Sequence, residues 1–135
     1  MRFALAWCTV AGALLLPGCS ADLRPLGPTP PGEGIVIYIR SNFVGSSQAL
    51  DVDVPDLSRV EGPCVEGEEE RSATWSDCIS SLRVTEGWSV TLYEDRDYRG
   101  SSVTLTADTP TLRDIPGPCD DSFNDCVSSI TVARR

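Results

Sequence analysis

The sequence predicts an all-β fold, two four-stranded antiparallel sheets packed face to face. Three observations lead there. Short β-branched or alternating runs recur between turn residues: "IVIYIR" (35–40), "QALDVDV" (48–54), "SSLRV" (80–84), "SVTLYE" (89–94), "SVTLTA" (102–107) and "SSITV" (128–132). No 3.6-residue apolar pattern persists for ten residues. And the chain repeats itself: a displacement of 55 residues carries Tyr38 onto Tyr93, Phe43 onto Tyr98, Gly45 onto Gly100, Pro55 onto Pro110 and Gly62-Pro63-Cys64 onto Gly117-Pro118-Cys119. Two four-stranded units, neither able to bury an apolar face alone, pack into one sandwich.

The order along the chain begins with a targeting segment, residues 1–18. Arg2 is followed by an apolar stretch from Phe3 to Leu16. That is too short for a membrane span, which needs ~20 residues, and has the layout of a secretory signal. Its end, "LPGC", resembles the lipobox of bacterial lipoproteins. The resemblance implies cleavage before Cys19, lipidation of Cys19 and a membrane-anchored product. With Ser20 rather than Asp next, it implies the outer membrane or cell surface. Pro17 departs from the usual pattern, and ordinary secretion is the alternative. Residues 19–34 hold the lipidated Cys and a tether; its four prolines and three glycines follow Cys19. At ~3.1 Å per residue such a tether reaches roughly 45 Å.

The folded domain is expected at 35–135, as repeats 35–84 and 88–132. The expected inward set is Ile35, Ile37, Leu50, Val52, Leu82 and Val84, then Val90, Leu92, Val103, Leu105, Ile130 and Val132. Past the first cysteine of each repeat the offset falls to 48, so that Trp75 meets Phe123, Cys78 meets Cys126 and Ser80-Ser81 meet Ser128-Ser129. Repeat one therefore carries an insertion, "VEGEEERS" (65–72), with Glu66, Glu68, Glu69 and Glu70 clustered. A charged loop of this kind is a solvated surface, a further carboxylate source for a neighbouring site, or a recognition loop for a basic protein partner.

Charge and composition exclude several functions. The net charge is −9, with 20 acidic residues against 11 basic ones, all Arg. Such a surface repels phosphate backbones, so nucleic acid is not an expected partner. There is no His, which excludes Ser–His and Cys–His nucleophiles and His-ligated zinc. Carboxylate pairs such as Asp95/Asp97 and Asp120/Asp121 remain, but neighbouring acids in turns are ordinarily solvated, and no enzyme activity is expected. Oxygen ligands favour hard cations such as calcium. With Cys8 removed in the signal and Cys19 lipidated, four cysteines are left, an even set that in an exported domain argues for two disulfides.

Tyr38-x₄-Phe43-x-Gly45 and Tyr93-x₄-Tyr98-x-Gly100 resemble the aromatic-x₄-aromatic-x-Gly signature of βγ-crystallin Greek keys. The resemblance spans both repeats and implies a βγ-crystallin-like double Greek-key β-sandwich. In each repeat the first hairpin folds back over the sheet. The glycine takes a positive φ at the bend, and Ser81 or Ser129 hydrogen-bonds the folded hairpin.

Asn124-Asp125-Cys126-Val127-Ser128-Ser129 matches the family's calcium motif, N/D-N/D-x-x-S/T-S, throughout. Ser76-Asp77-Cys78-Ile79-Ser80-Ser81 matches except at its first position. The resemblance implies Ca²⁺ held by the carboxylates of Asp77 and Asp125 and the hydroxyls of Ser80 and Ser128. The carbonyls of Cys78 and Cys126, and of Ser41 or Arg96 in the partner repeat, would complete each set. Two sites straddling both repeats follow. The symmetry of the duplication selects the pairings Cys64–Cys78 and Cys119–Cys126. The expected function is a calcium-binding envelope or surface module. The alternative, from secreted bacterial relatives with two disulfides, is a metalloprotease inhibitor.

Overall fold

A computed structural model describes residues 32–65 and 73–135. The expected signal (1–18), Cys19, the tether up to residue 31 and the glutamates at 66–70 lie outside the described residues. Among the described residues, no helix is long and apolar enough to cross a membrane.

Seven strands form: β1 (Ile35–Arg40), β2 (Val44–Leu50), β3 (Glu61–Cys64), β4 (Ser81–Val84), β5 (Trp88–Asp95), β6 (Arg99–Leu105) and β7 (Ser129–Arg134). Six of them make two antiparallel sheets ordered β2-β1-β4 and β6-β5-β7, and among the described residues β3 bridges only to Thr74. Register follows the alternation: Ile35 faces Leu50 and Val84, and Ile37 faces Leu82 across the ladder. The second sheet repeats it, with Val90 opposite Leu105 and Val132.

Each sheet has three full strands rather than the expected four. The fourth is reduced to a bridge, and it comes from the other repeat. Val54 exchanges hydrogen bonds with Ile130 of β7 at 2.8 and 2.9 Å, and Thr109 with Leu82 of β4 at 2.8 and 3.1 Å. Pro55 and Pro110 stop the ladder there, because proline has no N–H to give it. Short 3₁₀ turns follow at Leu57–Arg59 and Leu112–Asp114. The crossing also corrects the strand expected at 48–54. β2 starts earlier and ends at Leu50, so Val52 falls in the crossover and is 49% exposed instead of inward. Val103, Leu105 and Val132 pack only partly against the core.

The core is one cluster drawn from both repeats. Ile35, Ile37, Leu50, Leu82, Leu92 and Ile130 are completely buried. So are residues outside the regular strands, matched between repeats: Leu57 with Leu112, and Ile79 with Val127. Trp75 and Phe123 are 2% exposed. Burying each such side chain is worth about 1.5–3 kcal/mol. Much of that gain exists only when both sheets are present.

The hairpin fold-back is built alike in both halves. Phe43 and Tyr98 take positive φ (61° and 60°), as do Gly45 (88°) and Gly100 (76°). A Cβ at Gly45 would meet Ile39 Cγ2 at 2.6 Å, so both the turn and the space require glycine. The aromatic pairs meet edge to face, at 5.8 Å for Tyr38–Phe43 and 5.7 Å for Tyr93–Tyr98. Beneath them, Ser81 Oγ donates to the Arg40 carbonyl (2.6 Å) and accepts from Phe43 N–H (3.0 Å). Ser129 does the same with Asp95 and Tyr98, at 2.6 and 3.0 Å. Both serines are fully buried, so each hydroxyl satisfies two backbone groups that water cannot reach.

Candidate cation site between the repeats

The repeated Asp-Cys-x-Ser-Ser string forms the turn leading into β4 and β7. Asp77 and Asp125 each have φ of 51°, a left-handed conformation that Asp tolerates better than most residues. The turn aims each aspartate at the opposite repeat. Asp77 N–H donates to the Val127 carbonyl (3.0 Å), and Asp125 N–H donates to the Ile79 carbonyl (3.1 Å). The side chains cross too. Ser80 Oγ lies 3.3 Å from Asp125 Oδ1, and Ser128 Oγ lies 3.4 Å from Asp77 Oδ1.

Each oxygen pair therefore takes its hydroxyl from one motif and its carboxylate from the other. The sequence motif names these residues without showing this exchange. The separations are long for a hydroxyl–carboxylate hydrogen bond, which favours 2.5–2.7 Å. They suit two ligands of one ion about 2.3–2.6 Å from each, subtending roughly a right angle.

The first motif position braces the carboxylate. Asn124 Nδ2 donates to Asp125 Oδ2 at 2.6 Å, and Ser76 Oγ donates to Asp77 Oδ2 at 3.3 Å. Ser76 thus makes a looser version of the contact that Asn124 makes, and its departure from the motif leaves the carboxylate supported.

The disulfides form as Cys64–Cys78 and Cys119–Cys126, with Cα–Cα distances of 6.2 and 5.8 Å. Cys78 and Cys126 follow the aspartates directly and are buried, so each bridge pins the turn that carries a carboxylate. Their sulfurs are oxidised, and only their carbonyls can serve a hard cation.

A groove of about 530 Å³ brings together Ser41, Asp77, Cys78, Ser80 and Asp125, with Arg40 and Arg113 on its walls. Ser41 Oγ donates to Thr111 Oγ1 at 3.2 Å. At the equivalent place in repeat two, Arg96 is drawn to Asp56, Nε to Oδ1 at 3.7 Å. Burial raises the Asp56 pKa. The Ser58 hydroxyl and N–H, then Arg96 and Arg59, outweigh that and hold it below the usual carboxylate range. Among the described residues no group of three or more Asp, Glu, His or Cys gathers to hold a metal. Each notch has one carboxylate, a donor set that fits calcium at weak, extracellular affinities.

Sequence reasoning missed Arg113 and Thr111. Their signal was available as a break in the duplication: Arg113 stands where repeat one has Ser58, and Thr111 where it has Asp56.

Comparison with known proteins agrees with the fold. A βγ-crystallin domain from Flavobacterium johnsoniae is 30% identical with a TM-score of 0.56, over 75% of this chain and 94% of that one. A βγ-crystallin domain from Clostridium beijerinckii is 26% identical with a TM-score of 0.54, over 74% and 97% of the two chains. The N-terminal domain of protein S, at 22% identity and a TM-score of 0.56 over 75% and 96%, shares the fold. No match was found among curated proteins. The model of peptidase inhibitor family I36 matches residues 37–105, half of the chain. This chain is therefore a βγ-crystallin domain belonging to peptidase inhibitor family I36.

Proposed function

We propose that the domain binds Ca²⁺ in the two crossed notches, and that the ion staples the repeats together rather than signalling. The observation that carries this reading is the doubled exchange of ligands, Ser80 with Asp125 and Ser128 with Asp77, at matching separations of 3.3 and 3.4 Å. A bond from each repeat to one ion stabilises the pairing of sheets directly. With one carboxylate per notch, affinity suits an exported protein bathed in calcium, where Kd values of about 10⁻⁴–10⁻³ M suffice. The disulfides belong to an oxidising compartment, in keeping with export and anchoring through Cys19. Calorimetric titration of the disulfide-intact chain tests the reading. Two sites in the millimolar range or tighter are expected, one of them lost in Asp125→Ala. A flat heat signal and an unchanged melting temperature at 10 mM calcium would exclude it.

A second reading, inhibition of a metalloprotease, is favoured by the family match over 37–105. The stretch 65–72 lies between the bridged Cys64 and Cys78 in sequence, so a protease would meet it with both ends held. A panel of secreted proteases, run with the chain and with a variant lacking 66–72, tests this. Inhibition lost on deletion supports it, and no inhibition of any class refutes it.

A further inference from the structure

One edge of each sheet is closed and the other is open. On the far side of β4, Thr109 exchanges backbone bonds with Leu82, and Asp108 Oδ1 accepts the Val84 N–H at 2.9 Å. On the far side of β7, Val54 pairs with Ile130, and Asp53 Oδ1 accepts the Val132 N–H at 2.8 Å. The opposite edges are β2 and β6. An unpaired edge offers its backbone groups to any extended chain, and charged side chains are a common guard. β6 has that guard. Arg99 opens it and is exposed, and the Glu94 carboxylate accepts the Ser101 N–H at 3.1 Å. A displacement of 55 residues puts Val44 and Ile39 in the places of Arg99 and Glu94. β2, which reads VGSSQAL, has no ionisable side chain.

The backbone of β2 is turned outward where a partner strand needs it. The Tyr38 carbonyl accepts from Ser80 N–H at 2.9 Å, on the β4 side of β1. Tyr38 thus gives its backbone groups to that side, and Ser47 opposite it turns its own away from β1. The same alternation turns Ala49 outward, and its carbonyl accepts from the neighbouring Gln48 Nε2 at 2.9 Å. Three large apolar side chains are exposed among the described residues, and two of them bracket this strand. Val44 at its start is 51% exposed, and Val52 just past its end is 49% exposed.

We propose that β2 pairs antiparallel with β2 of a second copy of this chain, about a two-fold axis through Gln48. That register sets Ser47 of each copy opposite Ala49 of the other, so both outward-facing residues exchange backbone bonds. It also sets Val44 of each copy beside Val52 of the other, which covers both valines at both ends. A second copy is the partner this edge fits. The chain carries a net charge of −9, and an acidic surface facing its own image repels it. A strand of seven uncharged residues does not. Pairing uses up both β2 edges, and the guarded β6 edges stop further addition. The product is a closed, isologous dimer with one continuous sheet. A single strand pair buries less than the ~1,200 Å² of a standard interface, so the dimer is weak, half formed at roughly 0.1–1 mM chain. The inference stands apart from the calcium reading.

The test is sedimentation equilibrium of the full, disulfide-intact chain in chelator, up to about 1 mM. Wild type is compared with Val44→Arg, Val52→Glu, the two together, and Thr104→Arg on the β6 edge. Both valines are exposed, and β6 itself carries Arg99 at the place of Val44, so the fold is not at stake. Wild type should pass from monomer toward dimer mass. Each single valine variant should weaken association about tenfold or more, because the two-fold axis repeats the loss at both ends. The double valine variant should return to within about threefold of wild type. Its opposite charges meet across the axis but lie a strand's length, about 26 Å, apart within one chain. Thr104→Arg should stay within about twofold of wild type. A wild type that stays monomeric at 1 mM would overturn the proposal. So would assembly beyond the dimer, or association equal in every variant. Weakening in both single variants without recovery in the double variant would overturn the register on which it stands.

Discussion

The crossed ligand pairs predict a pattern of double mutants that a motif-by-motif site cannot produce. Asp125 and Ser80 are 45 residues apart in sequence but 3.3 Å apart across one notch. Asp125 and Ser128 share a motif but serve different notches. Asp125→Ala with Ser80→Ala should therefore remove one site, and Asp125→Ala with Ser128→Ala should remove both. At calcium tenfold above Kd, each site adds about 1.4 kcal/mol to stability. For a domain of about 100 residues, 1 kcal/mol moves the melting temperature by at least about 4 °C. Wild type should then gain about 11 °C on adding calcium. Asp125→Ala/Ser80→Ala should gain about 6 °C, and Asp125→Ala/Ser128→Ala about nothing. The readout is the difference in melting temperature between calcium and chelator for each variant, which cancels what the substitutions cost the metal-free fold. Equal calcium shifts in the two double mutants would refute the crossed assignment.

Ser129→Ala should destabilise the domain by about 2–4 kcal/mol in urea unfolding, because the buried Asp95 carbonyl and Tyr98 N–H each lose their partner; a loss under 0.5 kcal/mol would mean water replaces the hydroxyl. Reducing the Cys64–Cys78 bridge, which closes a 15-residue loop counted inclusively, should cost about 3 kcal/mol in the chain-entropy model and weaken calcium binding, measured by calorimetry with and without reductant. Asp56 has a folded pKa below its unfolded value of 3.8. Its stabilisation is present above that unfolded value and is lost as pH falls through the folded one. Asp56→Asn should therefore flatten the acid limb of the stability profile below about pH 4 and leave calcium affinity unchanged.

The sheets were legible because β1, β4, β5 and β7 alternate cleanly, and because two copies in one chain check each other. The exchange between repeats was not legible. Alternation at 48–54 reads as one strand continuing through Val52, yet Val54 pairs with Ile130 in the other sheet. Nothing local in "LDVDVP" says which sheet receives Val54. Only the tertiary closure around Leu57 and Leu112 decides it. The buried residues outside the strands escaped for the same reason, since Trp75, Ile79, Phe123 and Val127 follow no period of 2 or 3.6. In the candidate site, the motif's Asp and Ser side chains lie together in pairs. The partnering of those oxygens is a property of the interface.

That interface ties the proposed cation site to the duplication. A single Greek key would hold an aspartate and a serine on one turn, with Asp77 and Ser80 facing away from each other's notch. The second copy turns each half-site toward a complement, because the pseudo-symmetry that exchanges Val54 with Thr109 also exchanges the carboxylates. The backbone bonds Asp77 N–H to Val127 and Asp125 N–H to Ile79 fix that exchange before any ion arrives, and the adjoining disulfides hold the turns that make them. The calcium binding proposed above would then order little that is not already ordered, so a site with one carboxylate would keep a larger share of its modest interaction energy. The same symmetry makes deviations informative. Where one copy keeps Ser58 bonded to Asp56 and the other carries an exposed arginine, Arg113, on the groove wall, the surroundings have parted while the frame has stayed the same.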